Sequence, residues 1–182
     1  LGAHFKYKGK HELVAKKYKQ IFIENGIAFP EHHPKFSPKK GISGANWEIL
    51  SRNHEFLTQQ YHRWYPQHKK IIPRDLVLSP LTMKHWYYGD GCLCYVYHRV
   101  ETINLATHCF SFDDIDFLQE LLLCTGISDS RKSRDRSQYA ITIRKTQLPA
   151  FFNYIGNCDF ECYDYKFIMD NRPLYNLHKN CC

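Results

Sequence analysis

Hydrophobic side chains recur at helical spacing in two separate segments of the chain. Residues 113–124 carry one apolar stripe and residues 12–25 carry another. The stripe residues are Ile115, Leu118, Leu121 and Leu122 in the later segment, and Val14, Tyr18, Ile21 and Phe22 in the earlier one. Ser111 followed by Asp114 is typical of a helix start, and Gly26 and Gly126 are typical of helix ends. The pattern predicts two corresponding amphipathic helices.

Strict alternation of apolar and polar residues follows each of these helices. In residues 139–144 the side chains of Tyr139, Ile141 and Ile143 share one face, and Ala140, Thr142 and Arg144 share the other. A similar segment begins at Trp47. Each alternating segment precedes a further predicted helix, and matched landmarks lie 92 to 100 residues apart. The sequence therefore predicts a duplicated unit of strands and helices, in an α+β fold.

A short helix is also predicted immediately before the second copy, over residues 79–91. Ser79 is a suitable N-cap, Pro80 fits the first turn and Gly91 ends the helix. The corresponding helix of the first copy would fall before Leu1. We therefore expect a first half over residues 1–77 without this helix, a second half over 78–169, and a tail over 170–182.

The chain has 182 residues and a formal net charge of +7, which is concentrated in the first part of the sequence. Residues 1–77 carry a net charge of +8 and residues 78–182 a net charge of −1. This asymmetry favours an anionic partner, nucleic acid before membrane, although a merely soluble basic surface is an alternative. No apolar run is long enough to cross a bilayer.

Candidate nucleic-acid contacts lie in two predicted basic loops and on the predicted strands. The basic residues of the loops are Lys35, Lys39, Lys40, Arg131, Lys132, Arg134 and Arg136, for which two solvated loops are the alternative. The candidate groove-facing residues are Thr102, Asn104, His108, Thr142 and Arg144. A shift of one residue in strand phase would reverse this second list.

All eight cysteines follow residue 91, which is unlike a disulfide scaffold. Cys92 and Cys94 together with Cys158 and Cys162 could supply four thiolates to zinc, but their spacing is unusual for such a site. We expect reduced, mostly buried thiols in an intracellular compartment.

Four segments resemble those of the LAGLIDADG homing endonucleases, in particular the intron-encoded branch with two motifs in one chain. Residues 78–91, LSPLTMKHWYYGDG, resemble the motif helix of that family. Residues 64–76, 107–114 and 163–167 are similar to its Lys-Lys-x-x-Pro segment, its second helix start and its closing Tyr-Lys. The resemblance covers about residues 4–168, in the family's order.

The resemblance implies the LAGLIDADG homing-endonuclease fold: two pseudo-symmetric αββαβ-like halves whose saddle-shaped antiparallel sheets straddle DNA. It further implies that Asp90 is a ligand of Mg²⁺ or Mn²⁺, and that Lys70 and Lys166 are the catalytic basic residues of the two halves. Two features depart from the family pattern. The first motif helix is absent, and Gly89 occupies a position where many relatives have a second acid.

Two functions follow from this resemblance. The first is a monomeric, site-specific, metal-dependent endonuclease that cleaves double-stranded DNA at a site of about 20 base pairs, in a mitochondrion or chloroplast. The alternative is a descendant that no longer cleaves. It would bind structured RNA without a metal cofactor, as a splicing maturase or as a component of an organellar ribonucleoprotein such as a mitochondrial ribosome.

Overall fold

A computed structural model describes residues 2–38, 44, 46–135 and 138–169. The predicted contacts Lys39, Lys40 and Arg136 and the predicted tail over 170–182 lie outside these residues. The chain forms two compact units, the first reaching Lys69 and the second beginning at Lys70. The predicted boundary between residues 77 and 78 refers to the sequence repeat and stays a prediction.

The first unit contains two helices and a three-stranded antiparallel sheet. Its elements in chain order are β1 (Lys6–Gly9), α1 (Glu12–Glu24), β2 (Lys35–Ser37), β3 (Asn46–Leu50) and α2 (Glu55–Trp64). The strand order is β1-β3-β2. Val14 and Ala15 of α1 are fully buried with Ile49 of β3. Ile21 is 37% exposed, so the predicted apolar stripe of α1 is only partly covered.

The second unit contains three helices and a four-stranded antiparallel sheet. Its elements in chain order are α3 (Pro80–Asp90), β4 (Gly91–Val96), β5 (Arg99–Ala106), α4 (Phe112–Cys124), β6 (Ser130–Asp135), β7 (Gln138–Arg144) and α5 (Leu148–Ile155). The strand order is β4-β5-β7-β6, and a 3₁₀ helix over Glu161–Lys166 follows α5. Among the described residues, no helix is long and apolar enough to cross a membrane.

The two units repeat the same arrangement, as the sequence predicts. The order β1-α1-β2-β3-α2 corresponds to β5-α4-β6-β7-α5, and the sheet order β1-β3-β2 corresponds to β5-β7-β6. Gly26 and Gly126 adopt φ values of +81° and +90° after the corresponding helices, which confirms the predicted helix ends.

The predicted basic loops are partly wrong, because a strand lies within each of them. Lys35 begins β2, and the basic residues Arg131, Lys132 and Arg134 belong to β6. Both strands are at the edge of their sheet, where one row of backbone groups faces no further strand. Charged side chains are favoured on edge strands because they oppose pairing with other chains. The strands therefore lack the apolar alternation from which β3 and β7 were predicted.

The core of the second unit begins with one face of its sheet. Leu93, Ile103, Leu105, Ile141 and Ile143 are all at most 3% exposed. Their register places them on the same side, since directly paired residues of an antiparallel sheet share a face. The predicted α4 stripe is also confirmed for Ile115, Leu118 and Leu122, which are buried, while Leu121 is half-buried.

A buried carboxylate fixes the start of α4. The Ser111 side chain accepts a hydrogen bond from the Asp114 backbone, and the Asp114 carboxylate accepts one from the Ser111 backbone, which is the predicted capping box. Asp114 is 3% exposed, accepts a hydrogen bond from the Ile72 backbone N–H at 3.3 Å and forms an ion pair with the Arg74 guanidinium at 3.3 Å. This carboxylate therefore attaches residues 72–74 to α4.

Replacing Asp114 by alanine should strongly destabilise the second unit. The change leaves a buried backbone donor and two capping groups without their acceptor, at a cost of about 3 kcal/mol in the free energy of unfolding. Urea unfolding followed by circular dichroism measures this cost. The matched control is Asp113→Ala, because Asp113 is an exposed acid in the same helical turn. Equal losses in the two variants would contradict the role assigned to Asp114.

Candidate nucleic-acid interface and metal-binding position

Asp90 is the last residue of α3, and its side chain is exposed. The helix begins as predicted, with the Ser79 hydroxyl accepting from the Thr82 backbone N–H at 3.2 Å. Gly91 begins β4 directly afterwards. A Cβ atom at residue 91 would lie 2.1 Å from the Tyr87 ring and 2.7 Å from the Tyr87 carbonyl oxygen. Only glycine allows the chain to pass so closely from the helix into the strand.

Lys166 closes the end of α3 instead of reaching into solvent. It is 8% exposed, and its Nζ donates to the carbonyl oxygens of Tyr87, Tyr88 and Gly91 at 3.1, 2.7 and 2.8 Å. An ammonium group has three N–H donors, so these three carbonyls use all of them. Tyr87 donates its hydroxyl to the Lys166 carbonyl in return. Lys166, a predicted catalytic residue, thus donates all three of its N–H groups to backbone carbonyls around Asp90 at the end of α3.

Aromatic rings enclose this lysine. The Tyr87 and Tyr163 ring centroids lie 5.6 and 5.5 Å from Lys166 Nζ, and the Tyr88 and Tyr163 rings stack at 5.0 Å. Burial raises the pKa of both Tyr87 and Tyr88, so both remain protonated hydroxyls. Tyr88 accepts from the Asp159 backbone N–H at 2.8 Å. Tyr87 and Tyr88 are both at most 3% exposed, so their rings pack in the interior of the second unit.

Asp90 can supply one carboxylate to a divalent cation. Within the described ranges, no three His, Cys, Asp or Glu side chains lie together as a metal-binding group. Mg²⁺ commonly keeps several waters and is held by one or two carboxylates and by substrate phosphates. One exposed carboxylate at the partly negative end of a helix fits such a cation as a single ligand.

Lys70 is the other predicted catalytic basic residue, and it contacts an aromatic ring where Lys166 contacts backbone carbonyls. Its Nζ lies 4.4 Å from the centre of the Phe110 ring in the same unit. The side chain is half-buried, and the cation–π contact directs its charge toward the segment between β5 and α4.

The second sheet presents a face of mostly polar side chains, called here the polar face. Its paired residues follow from the strand register and are Cys92, Cys94, Thr102, Asn104, Thr142, Arg144, Arg131 and Ser133, with Ala106 and Ala140. The predicted strand phase is therefore correct for Thr102, Asn104, Thr142 and Arg144. His108 lies beyond the end of β5.

A set of hydrogen bonds and a set of ion pairs organise the polar face, and the sequence analysis did not identify either set. Ser133 and Thr142 join their hydroxyls at 2.6 Å, and Thr142 lies 3.3 Å from Asn104 Oδ1. Asp129 Oδ1 lies 3.3 Å from Arg144 Nε and 3.9 Å from Arg131 Nε. The available signal for Asp129 would have been an acidic residue near Arg131 and Arg144, which lie on two neighbouring strands.

The opposite face holds the other basic residues of β6. Lys132 pairs with Ile141 and Arg134 pairs with Tyr139, both on the side of the buried sheet residues. Lys132 forms an ion pair with Asp116 and lies 4.9 Å from the centre of the Phe112 ring. Strand alternation therefore divides the three described basic residues of β6: Arg131 lies on the polar face, and Lys132 and Arg134 lie on the opposite side.

A sequence model of the LAGLIDADG DNA endonuclease family matches residues 2–151. The chain belongs to this family. The resemblance found in its motifs is thus confirmed over most of the chain. The chain is 30% identical over 139 residues to the uncharacterised protein MJ1098 of Methanocaldococcus jannaschii. It is 24% identical over 130 residues to the cytochrome b mRNA maturase bI2 of Saccharomyces cerevisiae.

These alignments cover 75% and 64% of this LAGLIDADG chain, but only 54% and 30% of the two relatives. Its structure is similar to that of the homing endonuclease I-WcaI bound to its DNA recognition sequence, with a TM-score of 0.79 at 18% identity. That similarity covers 92% of this chain and 76% of the other, and it confirms the predicted fold.

Cysteine placement in this LAGLIDADG protein differs from the prediction. None of the six described cysteines is buried, and all six are free thiols. The four proposed zinc ligands form no metal-binding group in the described ranges. Hydrogen bonds from the Cys92 thiol and the Thr102 hydroxyl lower the pKa of the Cys94 thiol to about 6, although partial burial opposes them.

Replacing Lys166 by methionine should destabilise the second unit. Methionine keeps much of the apolar volume but leaves three carbonyls at the end of α3 without their shared donor, and we expect a loss of about 3 kcal/mol in the free energy of unfolding. Urea titration measures this loss. The control Lys145→Met breaks only an exposed ion pair with Glu101, so it should cost less than about 1 kcal/mol. A similar stability for both variants would exclude the capping role.

Cys94 should react with iodoacetamide at lower pH than an ordinary thiol. The thiolate is the reactive form, so its alkylation rate should rise through about pH 6 and level off above that value. Peptide mass spectrometry across a pH series measures the midpoint. Cys92→Ala removes the main hydrogen bond that lowers the pKa and should move the midpoint upward. A midpoint near the pKa of an ordinary thiol in the wild-type chain would contradict the effect of the Cys92 hydrogen bond on Cys94.

Proposed function

We propose that this chain binds double-stranded DNA at a specific site of about 20 base pairs and cleaves it with a divalent cation, Mg²⁺ or Mn²⁺, held in part by Asp90. The observation that carries the proposal is the position of Asp90, exposed at the end of a motif helix that Lys166 holds in place. Family membership supports the nuclease class, and the DNA-bound I-WcaI structure supports a DNA partner.

The location of Asp90 at the C-terminal end of α3 suits a bound cation. The C-terminal end of a helix carries partial negative charge, so an aspartate there is repelled while a cation is attracted. The Lys166 ammonium compensates the carbonyls of Tyr87, Tyr88 and Gly91, but its N–H donors are used by them. A divalent cation at Asp90 would stabilise negative charge on the attacking and leaving oxygens of the phosphate.

The protein's own residues divide the work in this proposal. Asp90 binds the cation, and Lys166 positions Asp90 by fixing the end of α3. The polar face binds the DNA through side chains such as Asn104, Thr142 and Arg144, whose shared side of the sheet follows from their register. We further propose that the chain acts as a monomer apart from its DNA.

A second candidate function is RNA binding without cleavage. The similarity to the cytochrome b mRNA maturase bI2 of yeast supports it. The three hydrogen bonds of Lys166 to backbone carbonyls also favour binding without cleavage, because they leave no N–H of this ammonium to contact a phosphate. The same relative supports an organellar location.

Asp90→Asn should abolish cleavage while DNA binding is retained. We expect Mg²⁺-dependent linearisation of plasmids carrying randomised inserts to fall at least about 100-fold, since the amide is a poor ligand for a hard cation. Affinity for duplexes selected by the wild-type chain should change less than about twofold, because Asp90 contacts the metal and not the bases. Thermal stability should be unchanged or higher, because the negative charge at the helix end is removed.

The matched control is Glu120→Gln, which removes an exposed acid from α4. Cleavage by Asp90→Asn at the wild-type rate would overturn the role of Asp90. RNA that copurifies stably with a wild-type chain unable to cut any plasmid would instead favour the maturase-like function.

A further inference from the structure

Arg144 is held on the polar face by two separate contacts with Asp129. Its backbone N–H donates to the Asp129 carbonyl oxygen at 3.3 Å, and its Nε lies 3.3 Å from Asp129 Oδ1. The first contact continues the pairing of β6 and β7, and the second is an ion pair that keeps the Nε side of the guanidinium close to the Asp129 carboxylate. Arg144 is therefore positioned before any ligand binds, which lowers the conformational entropy lost on binding.

The outer edge of this guanidinium remains available. The Arg144 side chain is 40% exposed, and within the described residues its two terminal nitrogens have no hydrogen-bond or ion-pair partner beyond the Nε contact. These nitrogens present parallel N–H donors in a fixed fork. In the major groove, guanine alone offers two adjacent acceptors, O6 and N7, that match such a fork.

A second reading position lies at a defined distance along the same strand. Arg144 pairs with Thr102, and Asn104 lies two residues further along β5 on the same face. Two residues of an antiparallel strand span about 7 Å, which equals two base-pair steps of B-DNA. The Thr142 hydroxyl lies 3.3 Å from Asn104 Oδ1, so this side chain is also oriented by its neighbours.

We propose that Arg144, positioned by Asp129, specifies a guanine in the major groove of the target DNA, and that Asn104 reads a base two pairs away. This inference rests on the proposed function, because it takes duplex DNA as the partner. Asp129 is a positioning residue here, since it acts through the arginine and does not itself contact the base.

The test selects binding sites from a library of 24-base-pair randomised duplexes with the full chain. We expect the wild-type motif to contain one strongly selected guanine. Arg144→Lys keeps the charge but loses the fork, so discrimination for that guanine should fall by roughly 5- to 150-fold. Non-specific affinity should change less than about twofold, since the phosphate attraction is retained. Asp129→Asn should lower the same discrimination, and Asn104→Ala should relax a base two pairs away.

A modified base tests the same contact at the level of one atom. Replacing the selected guanine by 7-deazaguanine removes the N7 acceptor, so it should weaken wild-type binding about tenfold. It should leave Arg144→Lys nearly unaffected. The matched control is Arg52→Lys, an exposed arginine after β3 in the first unit, which should keep the wild-type motif. Circular dichroism of each variant confirms that it is folded.

Each outcome of the selection distinguishes this inference from the proposed function. If the wild-type chain selects a duplex motif but Arg144→Lys keeps the same guanine preference, the inference is wrong and site-specific DNA binding stands. If 7-deazaguanine weakens the wild-type chain and Arg144→Lys equally, the base contact is likewise wrong. If the wild-type chain selects no duplex motif at all, both the proposed function and this inference are overturned.

Discussion

The position of the motif helix depends on a buried ammonium group. Three carbonyls at the C-terminal end of α3 lie in an aromatic environment and accept hydrogen bonds from Lys166, and the Tyr87 carbonyl also accepts one from the Gly91 backbone N–H. Such groups are costly to bury unpaired, so the helix end and the segment after α5 must come together. The glycine at residue 91 allows this closeness, because a side chain there would overlap the Tyr87 ring. The exposure of Asp90 follows from this arrangement.

The second constraint is the alternation of the second sheet. Ile141 and Ile143 are fully buried, while Thr142 and Arg144 between and beside them remain on the polar face. The buried face needs apolar side chains for its packing, whereas the polar face needs none. Asp129 then adds a local electrostatic constraint by holding Arg144. A general feature of β structure thus separates stability from the chemistry of the surface.

Periodicity and capping residues were sufficient to predict most of the architecture. Helices α1, α3 and α4, strand β7 and the repeat follow from local patterns, because each of these elements buries one face and the helices are bounded by serine N-caps or by glycine. Strands β2 and β6 did not follow, because edge strands are short and charged. Their register decides which basic residues share the polar face: Arg131 lies on it, whereas Lys132 and Arg134 lie on the opposite side.

The candidate site was predictable in position but not in its contacts. The motif pattern located Asp90 at the end of α3, whereas the committed donors of Lys166 depend on carbonyls about 75 residues away in the chain. The ion pair of Lys132 with Asp116 and the contact of Arg144 with Asp129 likewise depend on tertiary packing. Local sequence specifies which residues are charged, but the fold specifies which of them neutralise each other.

The alternation of β7 also determines how this protein can change through evolution. Substitutions at Thr142 or Arg144 alter the polar face while Ile141 and Ile143 keep their buried neighbours. A one-residue insertion within the strand would exchange the two sets at once and bury charged groups. Diversification of the surface can therefore accumulate through single substitutions at alternate positions, at little cost in stability, whereas a change in strand length would destabilise the core.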